Sequence, residues 1–202
     1  MQIIIHTPPV SEPITQDEAK EHLRIEQTDD IENDYIDAII KAAREHVEDI
    51  CRRALLTQVW DYYLDGFPSA DFIKLPFGNL QTTGLVITYY SVDTDDSKKT
   101  NTMTLTTDYL IETNGEACGK IVLPYGETWP SFTAWPTQAV KVHYTCGWTT
   151  RALVPNRIKA AIRLLCGDMY ANRESQIVSG QPYHENRTVQ RLLASMRLFD
   201  EF

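Results

Sequence analysis

Positive charge is scarce in this chain. Nineteen Lys and Arg face twenty-eight Asp and Glu, for a formal net charge of -9. A protein that reads nucleic-acid sequence needs a concentrated basic surface, so that class is disfavoured. Cysteine is scarce too, with four residues at Cys51, Cys118, Cys146 and Cys166. None forms a CxxC pair, and no His lies at zinc-ligand spacing from a Cys pair, which argues against a zinc ribbon or a disulfide framework and for thiols in a reducing compartment. No window reaches the ~18 apolar residues of a membrane-spanning helix. Met1 to Pro9 has neither a basic n-region nor a long apolar run, so it does not read as a signal peptide. The expectation is a soluble chain made in a cytoplasm, without a membrane partner.

Catalytic signatures are missing as well. There is no P-loop, GxGxxG or HExxH. Tyr144-Thr145-Cys146-Gly147-Trp148 falls short of a thiol-protease nucleophile because the second Cys and the small residue are missing. Cys146 ends an expected strand and reads as a buried structural thiol, and His143 reads as structural or surface. His22 and His46 sit among Glu18, Glu21, Glu45 and Asp49 at helical spacing, a pattern that solvated helix pairs share with metal sites. Asp93, Asp95 and Asp96 occupy one loop, but Lys98 and Thr104 stand where a calcium loop needs Gly and Glu. The expectation is therefore no catalytic residue, no cofactor and no metal.

What is present is a change of period. Thr15-Gln16-Asp17-Glu18 is a capping box that opens a short helix near 16–24. Ile31, Tyr35, Ile39, Ala42, Ala43, Val47 and Ile50 then recur at three- and four-residue steps over 31–52. From Leu56 onward, segments such as Val59 to Leu64, Phe72 to Leu75, Gly84 to Val92, Lys120 to Leu123 and Ala139 to Thr145 are rich in β-branched and aromatic residues. Turn residues separate them, and 93–101 reads as a long charged hairpin loop. Pro155 is placed to open a third helix, whose stripe is Ile158, Ala161, Ile162, Leu165 and Met169. A last helix is expected over 187–197. The fold class is α+β: an α-helical core from the N- and C-terminal helices with an inserted antiparallel β module. The boundaries are 1–55 for the N-terminal arm and helices, 56–150 for the insertion, and 151–202 for the closing helices and tail.

Charge divides the same way. Ser11 to Ile50 holds thirteen acids and four bases, whereas Arg151 to Arg197 holds eight bases and three acids. Opposite ends of this kind suit a part in an assembly more than a catalyst.

Ile14-Thr15-Gln16-Asp17-Glu18-Ala19-Lys20-Glu21-His22-Leu23-Arg24-Ile25 and Ile39-Ile40-Lys41-Ala42-Ala43-Arg44-Glu45-His46-Val47-Glu48 resemble the opening of head–tail connector (adaptor) proteins of tailed bacteriophages and prophages. The likeness continues through Arg53 to Gln58, Val86 to Tyr89, Val142 to Trp148 and Met169 to Glu174, in order along most of the chain. The longer type, with a strand-rich insertion, is the one resembled. This implies a structural ring of twelve copies in the virion neck, under the portal protein. The ring extends the DNA channel and offers an attachment surface to downstream neck and tail proteins. DNA passes through without sequence-specific binding, and on charge grounds the acids of Ser11–Ile50 are candidates for a field that repels phosphate, whichever face points inward. The family brings no catalytic residues or cofactor with it.

Two sets of residues follow as candidates. Head-to-tail contact between acidic and basic surfaces would close a ring, with Arg44 and Arg163 as candidate subunit-interface residues. The closing helix carries Arg187, Arg191, Arg197, Leu192, Leu193, Met196 and Phe199 as candidate portal-docking residues. The resemblance implies docking by this region, so removal of 182–202 is expected to leave a folded protein that no longer joins filled heads; the alternative is that the helix folds back on its own core. Alternative readings are another phage morphogenesis factor (a tail completion protein or an assembly chaperone), or a small hydrolase built on His143, Cys146 and an acid.

Overall fold

The computed structural model describes residues 1–173 and 186–198. The fold is α+β and divides into two compact units, Met1–Pro9 with Thr57–Gly147, and Val10–Leu56 with Trp148–Phe202.

The helical unit contains α1 (Gln16–Leu23), α2 (Asn33–Cys51), α3 (Asn156–Ala171) and α4 (Arg187–Leu193), the last running into a 3-10 turn, Ala194–Met196. Thr15 and Glu18 form the expected capping box: the Glu18 amide donates to Thr15 Oγ1 at 3.0 Å and the Thr15 amide to Glu18 Oε2 at 2.8 Å. Arg24 closes α1 in the left-handed region, with φ 60°. The turn that follows is held from inside by Lys20, which is 1% exposed. Its ammonium donates to the carbonyls of Gln27 at 3.1 Å and Asp29 at 2.7 Å, so a buried charge is satisfied by backbone oxygens.

Ile39, Val47, Ile158 and Ile162 share one core, with Leu165 partly buried against it. The stripe on α2 is rotated from the expected one. Ile36, Ile40, Ala43, Val47 and Cys51 are buried, whereas Ala42 is exposed and Ile31 is 92% exposed. Ile31 precedes the first residue of α2, so it has no helical face on which to be buried.

Glu18 belongs to the cap and also accepts from Arg163. Its burial raises the carboxyl, but the Thr15 amide and Arg163 outweigh that and hold it below the usual carboxylate range. A depressed folded-state value means the stabilisation is present above the unfolded pKa of about 4.3 and is lost as pH falls through the folded value. Glu18→Ala is expected to cost about 1 kcal/mol at pH 7, as caps generally do. The difference from the unmodified protein should shrink as urea titrations are taken from pH 5 to pH 3.

In the β unit, a five-stranded antiparallel sheet has the order β1-β2-β8-β4-β5. Its strands are β1 (Gln2–Thr7), β2 (Gln58–Leu64), β4 (Leu80–Val92), β5 (Lys98–Thr102) and β8 (Val140–Cys146). A three-stranded sheet, β3-β7-β6, uses Phe72–Lys74, Lys120–Val122 and Leu110–Glu112. Val140, Val142, Tyr144 and Cys146 alternate into the core of this unit with Tyr62 and Ile87. Phe67 stacks on Trp129 at 4.9 Å, and Tyr89 and Phe132 join them, so much of the aromatic content is internal packing. Gly119 is obligatory: a Cβ there would meet Leu80 Cδ2 at 2.4 Å.

Two expectations are corrected. Residues 2–7 are not an arm grouped with the helical opening; they pair with β2 and form an edge of the sheet. The span 93–101 is not one long loop. It is a turn at 93–97 followed by the polar edge strand β5, which pairs with β4.

Candidate functional site

The strands place four titratable side chains, His6, Asp61, Lys141 and His143, together on one side of the five-stranded sheet. On β8 the odd positions Lys141, His143 and Thr145 point away from the core side chains. The β2–β8 register sets Asp61 directly opposite His143. Asp61 is 6% exposed, and its Oδ1 lies 2.6 Å from His143 Nδ1 while Oδ2 takes Lys141 Nζ at 2.9 Å and lies 3.2 Å from His6 Nδ1. Burial raises Asp61, but its bonds to Lys141 and His143 prevail and hold it below the ordinary carboxylate range. Reciprocally, Asp61 keeps Lys141 above its ordinary value despite partial burial.

Sequence reading singled out His143 alone; His6 and Asp61 carried no motif. His143 and Cys146 form no dyad, because they occupy opposite faces of β8 and Cys146 is 0% exposed. All four cysteines are buried. Burial pushes the Cys51 thiol up to about 11 and the Cys166 thiol up to about 12, which leaves both protonated and unreactive at neutral pH.

The candidate interface arginines lie in the helical unit. Arg44 is 3% exposed in the single chain. Its Nε donates to Glu12 at 2.8 Å, Nη2 to Glu45 at 3.2 Å and Nη1 to Glu48. Arg163 is partly exposed and donates to Glu18 at 2.6 Å. Arg173 and Tyr170 both donate to Glu32. Part of the opposite charge of the two ends is thus neutralised within one subunit, while Asp17, Glu21, Asp34 and Asp37 remain exposed.

Of the candidate docking residues, Leu193 and Met196 are buried in the helical core and Leu192 is partly buried against it. Arg53 Nε donates to the Met196 carbonyl at 2.6 Å, and the Leu198 amide to the Cys51 carbonyl at 2.9 Å. The apolar side of α4 is therefore covered by its own chain. Arg187, Arg191 and Arg197 are exposed, with Arg197 donating to Gln190. Phe199 lies outside the described residues.

Solved structures share this fold over its whole length. A chain from the neck of an empty gene transfer agent particle, with C6 symmetry, matches at a TM-score of 0.77 and 16% identity, covering 100% of this chain and 98% of that one. A chain from the virion of a native gene transfer agent particle matches at 0.74 and 17% identity, over 100% and 98%. A chain from the neck of a native particle with C12 symmetry matches at 0.69 and 19% identity, again over 100% and 98%. No curated protein matches the sequence. The model of the phage gp6-like head-tail connector protein matches residues 13–113, half of the chain. The chain belongs to this family of head–tail connectors, structural proteins of phage-like particles.

Proposed function

We propose that the protein forms a twelve-copy ring in the neck of a phage-like particle. The ring sits beneath the portal, extends the DNA channel and presents a surface to downstream neck and tail proteins. Membership of the connector family carries this reading, and likeness over the full length to chains from particle necks supports it. The exposed acids between Asp17 and Asp37 suit a passage that must let DNA slide, since like charge keeps phosphate from binding. The portal contact falls to the exposed Arg187, Arg191 and Arg197 with the chain end around Phe199; the apolar side of α4 is already used within the subunit. The subunit contact joins acidic to basic surface, with Arg163 at its margin.

Purified particles test the reading directly. Quantitative mass spectrometry against the portal subunit should return about one connector per portal chain, as closed rings require. One or two copies per particle would remove the ring and favour a morphogenesis factor. Arg163→Glu should leave the fold intact and lower incorporation, an effect that shrinks as added salt screens the contact.

A further inference from the structure

We propose that His6, Asp61 and His143 form a divalent transition-metal site of the zinc class, which clamps edge strand β1 to β2 and to β8 beyond it. The three residues come from β1, β2 and β8, adjacent in the sheet, and one ligand atom from each lies within 4.8 Å of the others. Their delivery is specific. Ile5 pairs with Trp60 and Thr7 with Val59, so His6 is the extra residue of a bulge. Bulges re-aim a side chain, and here the side chain is aimed at the Asp61 carboxylate.

The spacing suits a small tetrahedral ion. Bonds of about 2.0–2.1 Å put neighbouring ligand atoms about 3.4 Å apart. His143 Nδ1 stands 2.6 Å from Asp61 Oδ1 and His6 Nδ1 3.2 Å from Oδ2, so the side chains open slightly to admit an ion. Two imidazoles and one carboxylate favour zinc, cobalt or nickel over calcium or magnesium, which prefer all-oxygen shells. The carboxylate already has an orienting partner: Lys141 holds Oδ2 at 2.9 Å, leaving Oδ1 for the ion. Carboxylate ligands of metals are commonly fixed in this way. The Lys141 charge also opposes the ion and weakens its binding.

Binding is simple substitution. Each Nδ1 gives up the proton it shares with the Asp61 carboxylate, to solvent or by a shift of tautomer to Nε2, and the metal–nitrogen bond takes the place of that hydrogen bond. Water takes the fourth position from the open side, where the His6 side chain is 53% exposed.

Isothermal titration of tag-free, full-length protein with zinc chloride tests the site. One ion per chain at micromolar affinity is expected, with His6→Ala and His143→Ala each weakening binding at least tenfold. His22→Ala, in the helical unit, should bind as the unmodified protein does, and Lys141→Met should bind more tightly. Amide exchange across β1 should slow on adding zinc, and this slowing should vanish in His143→Ala. Absence of saturable binding, indifference to both sheet histidines, or loss of binding in His22→Ala overturns the proposal.

Discussion

Deleting residues 186–202 is expected to destabilise the helical unit strongly, and not merely to release a tail. Val189, Leu193 and Met196 are buried among Ile39, Val47 and Ile162. Losing a buried apolar side chain costs about 2–4 kcal/mol. Three together cost at least about 6 kcal/mol, which is comparable to the whole stability of an ordinary domain at about 5–15 kcal/mol. The deletion also strips the buried Arg53 Nε of the Met196 carbonyl and the Cys51 carbonyl of the Leu198 amide. Urea unfolding followed by circular dichroism should show a lower midpoint or no cooperative transition. A truncated protein with an unchanged midpoint would mean that α4 is dispensable to the core and restore it as a detachable docking element. The expectation that removal of 182–202 leaves a folded chain treats the apolar stripe as unpartnered, but the stripe has its partner in the same subunit.

Arg44→Glu should be the most damaging single substitution. The guanidinium sits among Glu12, Glu45 and Glu48, and its side chain is 4% exposed. Reversal removes the guanidinium that all three carboxylates share and adds a fourth carboxylate. Breaking a buried pair costs about 3–5 kcal/mol because the remaining charge stays buried without compensation. The expected loss is about 4 kcal/mol in equilibrium denaturation, with poor recovery of folded protein. Arg163→Glu provides the contrast, since partly exposed pairs contribute at most about 1 kcal/mol. A folded Arg44→Glu protein that fails only in ring assembly would return Arg44 to the subunit contact.

Local chemistry alone determined much of the fold. The Thr15–Glu18 box is a contact between neighbours in sequence, and Pro155 precedes α3 because its missing N–H costs nothing there. The apolar steps of α3 repeat the helical period and the alternation of β8 that of a strand, so each names its own buried side, whereas α2 is helical as its steps imply but buries a rotated face. The connector family was legible for the same reason, as an ordered set of such local patterns. Edge strands were not: Gln2–Thr7 and Lys98–Thr102 become strands only because β2 and β4 offer a backbone to pair with. Tertiary structure likewise decided the charges. Arg44 and Arg163 read as surface bases until folding placed Glu12, Glu48 and Glu18 against them. His6, Asp61 and His143 meet because strand register brings them within bonding distance across 55 and 82 positions of sequence. Sequence period reports which way a side chain points; only the packed chain sets what it meets there.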